Sequence, residues 1–242
     1  QRRKRVFLFG ELKGDLPKRF DAVEAITTNS LFARAFGESD PVGPVAHFLL
    51  DGDLAKLTRA FNHGGKRSPF QNAGMMQGGQ IWTLKLKVTP DLNGSVLADV
   101  LLPTAEVPKV YFIPKRTIGK WRKLKAAKKQ ERIALNGHRY NYAEGAMAFP
   151  DALDKPSRTI VTGEGGTAPS RFKHVILTED GRYRRLTPVE LERLNMFPDN
   201  HTAGVSDGWR AFFMGNALVT GVVARLAAAL IGHHQARSKR PK

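Results

Sequence analysis

This chain of 242 residues contains no cysteine. That excludes disulfide bonds and thiolate metal sites, and it leaves the chain without a thiol nucleophile of its own. The absence fits a reducing, cytoplasmic setting. Acidic residues are scarce as well. There are 22 Asp and Glu against 39 Lys and Arg, a formal net charge of +17 and a pI of about 10.4. Such an excess points to a polyanionic partner, with nucleic acid ahead of an acidic membrane. No apolar run approaches the length of a bilayer span, so no membrane is expected. The opening Gln-Arg-Arg-Lys-Arg, followed by a short apolar run, is not a secretory signal. Internal repeats and low-complexity tracts are missing. The glycines at 163–166 lack the Gly-Lys-Ser/Thr ending of a phosphate loop. The first residue is glutamine, which gives the expectation that the chain begins inside a longer gene product.

What is present is enough for a folded core. Hydrophobic residues make up 41%, and the length allows one large or two small domains. Val6-Phe7-Leu8-Phe9-Gly10 reads as a buried strand of a parallel sheet. Gln1, Arg3 and Arg5 precede it at alternate positions, on one face of an extended chain. Ile81 to Val88 alternates with period two and predicts a half-exposed strand. Val96 to Leu102 fits a short helix or a strand. Thr187-Pro188-Val189-Glu190 has the makings of a capped helix start, with Thr187 as cap, Pro188 at the first helical position and Glu190 reaching back. Phe197-Pro198 stops that helix. From Ala217 onward, Leu218, Val222, Leu226 and Leu230 recur at helical intervals, so Gly215-Asn216 is expected at or just before a helix start. His233 and His234 are adjacent and diverge on a helix, so they do not suggest a shared metal.

Two stretches have the chemistry of nucleic-acid contact. Lys115, Arg116, Lys120, Arg122, Lys123, Lys125, Lys128, Lys129 and Arg132 form a cationic run around Trp121. It reads either as a solvated face or as a phosphate-contacting one. Gln71, Asn72, Gln77 and Gln80 lie among glycines. Side-chain amides there can pair with adenine edges, or simply decorate a polar loop.

Three motifs in order resemble the bacterial cytosine-5 DNA methyltransferases. Gln1-x-Arg3-x-Arg5 before an apolar strand is similar to the eighth of that family's ten motifs. Arg184 to Asp199 is similar to the ninth, and Met214-Gly215-Asn216-Ala217-Leu218 to the tenth. The family's Pro-Cys dipeptide, its Phe-x-Gly-x-Gly loop and its Glu-Asn-Val segment are missing from this chain. The resemblance therefore covers the C-terminal half of such an enzyme. It implies an α/β fold: part of a Rossmann-like S-adenosylmethionine-dependent domain plus a smaller, mixed α+β target-recognition domain. The implied boundaries are 1–10 for a strand of the catalytic domain and 11–155 for target recognition. Residues 156–200 would be the return segment and ninth motif, and 201–242 the tenth motif and last helix.

The resemblance also implies roles. Arg5, with Arg3 and Gln1, would support the flipped cytosine. Asn216 and Ala217 would touch S-adenosylmethionine. Thr159 would sit against the DNA backbone, with Ser170, Arg171, Lys173, His174 and Arg185 extending a phosphate surface. Partners would be double-stranded DNA and an N-terminal half carrying Pro-Cys, as a separate chain or in the same protein. The implied function is a DNA (cytosine-5-)-methyltransferase of a restriction-modification system, cytoplasmic and inactive as this chain alone. The alternative is a non-catalytic, basic, sequence-specific DNA-binding module.

Overall fold

The structure is a computed structural model that describes residues 5–12, 19–60, 70–87 and 94–238. The chain forms two compact units. One joins Val6–Leu92 to Ala224–Lys242, and the other joins Gln1–Arg5 to Asn93–Val223.

The smaller unit begins with two short helices, each started by a side-chain cap. Asp21 Oδ1 accepts the N–H groups of Val23 and Glu24 to open α1 (Ala22–Thr27). Ser30 Oγ accepts that of Ala33 to open α2 (Leu31–Phe36). Then come β1 (Ala46–Leu49), α3 (Leu54–Ala60), β2 (Ala73–Gln77) and β3 (Gln80–Leu84). The strands make an antiparallel sheet in the order β1-β3-β2. Gly78 and Gly79 both have positive φ, 56° and 78°, and make the two-residue turn between β2 and β3. β3 keeps the two-residue alternation expected from Ile81 only as far as Thr83: Ile81 and Thr83 are buried with Trp82 half-buried between them, while Leu84, also buried, ends the strand short of the expected Val88, which lies outside the described residues.

The larger unit opens with 3-10 turns rather than helix or strand. They span Leu97–Val100, Thr104–Glu106, Lys109–Tyr111 and Lys115–Thr117. Pro103, Pro108 and Pro114 stand immediately before the last three. Their fixed φ and missing N–H punctuate the segment before longer elements can form. The unit continues with α4 (Ile118–Lys125), β4 (Lys128–Ile133), β5 (Arg139–Glu144), β6 (Ile176–Leu177) and β7 (Tyr183–Arg184). Two helices follow, α5 (Pro188–Leu194) and α6 (Asp207–Asn216), and then α7 (Thr220–Ser238), which belongs to this unit only through Val223 and to the smaller unit from Ala224 on. The core gathers Leu97, Ile160, Leu191, Leu194 and Met214, with Leu101 and Leu153 against it. A second cluster joins Trp121, Ile113 and Val175.

The fold is mixed α/β, and it corrects several expectations. Packing does not divide at 155/156, because Leu97 and Leu153 share one core with Ile160 and Leu191. All strand pairs among the described residues are antiparallel. The strand expected at Val6–Phe9 does not form. Residues 5–12 are irregular, and Val6 and Leu8 are 86% and 94% exposed. A buried strand needs a neighbour to take its backbone hydrogen bonds, and no described strand pairs with this segment. Gly215 and Asn216 end α6 rather than begin α7, since Ala217 turns extended with ψ 155°. Among the described residues no single helix is long and apolar enough to cross a membrane.

Candidate functional site

The segment returning from residue 156, together with α5 and α6, positions most of the candidate residues of the larger unit. Helix α5 starts as its residues dictate. Thr187 Oγ1 accepts the N–H of Glu190 at 3.3 Å, and Glu190 accepts the N–H of Thr187 at 2.7 Å. The same carboxylate takes the N–H of Leu102 at 2.9 Å. It also accepts both Nη atoms of Arg184, at 2.7 and 2.9 Å. Arg184 and Glu190 are wholly buried, so this pair acts as a fixed internal strut. Glu192, two residues along, is buried too and accepts from Arg210 at 2.9 Å and from the N–H of Thr202 at 3.0 Å.

Several cations expected on DNA instead turn inward. Lys125 is buried and donates to the carbonyls of Arg171 and Lys173, at 3.3 and 2.6 Å. Burial pulls its pKa down to about 8. Arg171 donates to the carbonyls of Leu124 at 3.0 Å, Ala126 at 2.6 Å and Gly145, and pairs with Glu144 at 3.1 Å. Lys173 donates to the carbonyls of Gly166 and Ala168, both at 2.9 Å. Arg185 donates to those of Gly166 and Val110, both at 2.7 Å. The expected phosphate contacts at Lys125, Arg171, Lys173 and Arg185 are therefore corrected: these side chains are spent on backbone carbonyls of the surrounding loops.

Ser157, His174 and Glu164 stand in a row. Ser157 Oγ lies 3.0 Å from His174 Nε2, and His174 Nδ1 lies 2.7 Å from Glu164 Oε1. The order resembles a hydrolytic triad, yet His174 is 0% exposed and Ser157 only 4%. At that burial the serine is not open to a substrate, and the row clamps the glycine loop to the irregular segments that carry Ser157 and His174. Asp151 closes the clamp by accepting from Arg158 and from the N–H of Val175. Burial would raise the Asp151 pKa, but the Arg158 hydrogen bond and the charge of His174 overcome it and hold the carboxyl below its usual range. Thr159, expected on the DNA backbone, lies half-buried on this returning segment.

Gly215 explains how α6 reaches the loop. A Cβ there would stand 2.5 Å from Thr162 Cα and 2.6 Å from the Val161 carbonyl carbon, so only glycine admits this approach. Asn216 is exposed at the end of α6, and its Nδ2 donates to the Phe212 carbonyl at 3.2 Å. Ala217 packs against the core. A cavity of about 190 Å³ lies on another side of α6, lined by Tyr111, Glu164, Gly165, Arg185, Asp207 and Ala211. Neither Asn216 nor Ala217 lines it. Tyr111 donates a short bond to Asp207. Burial, then that bond, push the phenol pKa up, so it stays a neutral donor.

Sequence reasoning missed one surface of α6. Trp209, Phe212 and Phe213 are 56%, 40% and 41% exposed, with Trp209 ring centroids 5.4 and 5.9 Å from the two phenylalanines. Ala211 and Met214 fill the core from the same helix. The signal was the i, i+3, i+4 spacing of aromatics beside a second apolar set.

In the smaller unit, the amides expected to read bases are partly engaged. Asn72 Oδ1 accepts the N–H of Leu86 at 2.7 Å and its Nδ2 donates to the Leu86 carbonyl at 2.9 Å. Gln80 Oε1 lies 2.7 Å from His47 Nε2. Gln71 is exposed and Gln77 half-buried on β2. Lys123 is exposed on α4, and Arg5 is exposed ahead of Val6. Gln1 and Arg3 lie outside the described residues.

The family model for the C-5 cytosine-specific DNA methylases matches residues 1–232. The chain belongs to that family, whose members use S-adenosylmethionine to methylate DNA. It is 36% identical over 233 residues to the Type II methyltransferase M.Sau3AI of Staphylococcus aureus, covering 93% of this chain and 54% of that protein. The chain thus spans about half the length of the curated relative it matches. It is also similar to the solved structure of the Entamoeba histolytica methyltransferase EhMeth. That likeness has a TM-score of 0.38 and 14% identity, over 78% of this chain and 54% of that one, and is too loose to inform the fold.

Proposed function

We propose that this chain is the C-terminal, DNA-recognising part of a DNA (cytosine-5-)-methyltransferase of a restriction-modification system. It acts on double-stranded DNA in the cytoplasm. One observation carries the reading: a chain that matches the family over residues 1–232 has no cysteine. The nucleophile that adds to the cytosine ring is then supplied by an N-terminal half, in the same protein or in a second chain. The name of the Staphylococcus relative supports the modification role, and the net charge of +17 supports the polyanionic substrate.

This chain's own share is positional and electrostatic. Arg5 supports the base once it is extruded from the duplex, as reaction on a stacked base requires. Thr159 meets the DNA backbone. S-adenosylmethionine, when bound, supplies the methyl group. Asn216 and Ala217 form one wall for it at the end of α6, while the opposite wall belongs to the N-terminal half that carries the Phe-x-Gly-x-Gly loop. An exposed Asn216 beside a packed Ala217 fits such an incomplete wall. The aromatic face of α6 and the exposed apolar run at Val6–Phe9 are the surfaces that dock on that half and complete a Rossmann-like domain.

The test is transfer of tritiated methyl from S-adenosylmethionine to unmethylated duplex DNA. The chain alone should incorporate none, and the chain with an N-terminal half carrying Pro-Cys should incorporate label. Turnover by this chain alone refutes the reading. Duplex binding without transfer in either mixture favours a non-catalytic DNA-binding module instead.

A further inference from the structure

We propose that the β4–β5 ribbon, residues 128–144, enters the major groove of duplex DNA and contacts base edges. The inference rests on the reading above that this chain recognises DNA, and it names the element that does so.

The ribbon is covered on neither face. Its residues are exposed or half-exposed throughout, and Leu135 at the tip is fully exposed. A lone two-stranded hairpin gains little stability from its own packing, so this one depends on how its feet are held. Arg171 grips both: it donates to the carbonyl of Ala126, just before β4, and it engages Glu144 and Gly145 at the end of β5. The N–H of Met147 donates to the Lys125 carbonyl at 2.8 Å and closes the base. The turn is equally defined. Gly137 has φ 81°, its N–H donates to the Ala134 carbonyl at 2.9 Å, and the Ala134 N–H donates to the His138 carbonyl at 2.8 Å. The result is a projecting element with a fixed root and a fixed tip.

Its dimensions suit the groove. Six residues per strand extend about 20 Å, with strands about 5 Å apart. The B-DNA major groove, about 12 Å wide, admits a two-stranded ribbon. Its side chains suit the groove too. The register puts Lys128, Gln130 and Arg132 on one face with Tyr140, Tyr142 and Glu144. The other face carries Lys129, Glu131 and Ile133 with Arg139, Asn141 and Ala143. Arg pairs with guanine, Gln and Asn with adenine, and apolar groups meet the thymine methyl. The Arg132 guanidinium is stacked 3.6 Å above the Tyr142 ring, which limits its freedom before any contact is made. The negative charges are already engaged, Glu144 by Arg171 at 3.1 Å and Glu131 by Arg139 at 3.5 Å. Lys120 and Lys123, exposed on the preceding helix, supply sequence-independent phosphate contacts. The β2–β3 hairpin is the weaker candidate, because Asn72 and Gln80 already have internal partners.

The test uses the 242-residue chain and a pool of duplexes with a randomised core. The chain should enrich a defined word. That word is then remade with 5-iodouracil for thymine, which places the photoreactive atom in the major groove, and the cross-linked peptide is mapped. Cross-links should fall within 128–144. Substitution on the base-facing side, Arg132→Ala on one face or Arg139→Ala and Asn141→Ala on the other, should reduce discrimination between the word and a scrambled duplex by roughly 5- to 150-fold. Binding to the scrambled duplex should change far less. These side chains are exposed, so the variants should fold, and retained circular dichroism checks it. Cross-links in 71–80, failure to enrich any word, or a triple variant that enriches the same word overturns the proposal. If the ribbon reads the word yet no methyl transfer occurs with the N-terminal half, the inference stands and the methyltransferase reading falls.

Discussion

Replacing Glu190 by glutamine should destabilise the larger unit far more than its near-identical shape suggests. The wild-type carboxylate accepts from Leu102, Thr187 and both Nη atoms of Arg184. An amide offers one acceptor oxygen, and its NH₂ group would face donors. The Arg184 charge, itself buried, would remain without a counter-ion. Breaking a buried pair from one side costs about 3–5 kcal/mol, a large share of the roughly 5–15 kcal/mol that stabilises a typical domain. Hydrogen exchange followed by peptide mass spectrometry isolates this unit from the smaller one. Amides of α5 and of the Trp121 cluster should exchange about two to more than three orders of magnitude faster in the variant. The double variant Arg184→Met, Glu190→Gln should recover part of the loss, because no stranded charge remains. Protection in Glu190→Gln within tenfold of wild type would refute the view of this pair as a strut.

Four further outcomes are expected. Gly215→Ala should cost about 1–3 kcal/mol or more, read from urea unfolding, because its Cβ meets the backbone of Val161 and Thr162. Lys125 has a folded pKa lowered by burial to about 8 from 10.5, so the unfolded state binds more protons between those values. Stability should rise with pH across that window relative to Lys125→Met, and a flat difference between the two would sink the assignment. Replacing exposed Lys120, Lys123 and Lys129 by alanine should make the slope of log affinity against log salt shallower by roughly 2.7 on duplex DNA, whereas Lys125→Met should leave it unchanged. Asn216→Ala should weaken S-adenosylmethionine binding in equilibrium dialysis of the assembled enzyme and spare DNA binding; unchanged cofactor affinity would reduce Asn216 to a helix end.

What was legible in the sequence was local. The capping box at Thr187 and Glu190 and the period-two strand from Ile81 depend on neighbours within a few residues, and both are formed. What was not legible was where charges go. Lys125 sits in a cationic run that reads as a solvated or a phosphate-contacting face, and carbonyls from Arg171 and Lys173, distant in sequence, draw it inside instead. The ribbon went unread: strands made of Lys, Gln, Arg and Tyr carry no apolar alternation, so their period does not register. Val6–Phe9 failed for the opposite reason: its apolar run is unmistakable, while a strand exists only when another strand pairs with it.

These two kinds of cation have one physical logic. A reading element held loosely forfeits affinity to the entropy of ordering it, and a two-stranded ribbon cannot stiffen itself by burial. Arg171 supplies that stiffness by binding the Leu124 and Ala126 carbonyls at the ribbon's root, and Lys125, just before β4, ties the root to the Arg171 and Lys173 carbonyls; neither side chain is left for phosphate. Arg132, Arg139 and Lys129 stay exposed, with only a ring contact for Arg132 and a surface ion pair for Arg139, and so remain accessible to DNA. Arg171→Lys separates the two roles, since lysine keeps the charge but cannot span Glu144, Gly145 and Ala126 at once. Salt dependence should survive that change while discrimination between DNA words declines.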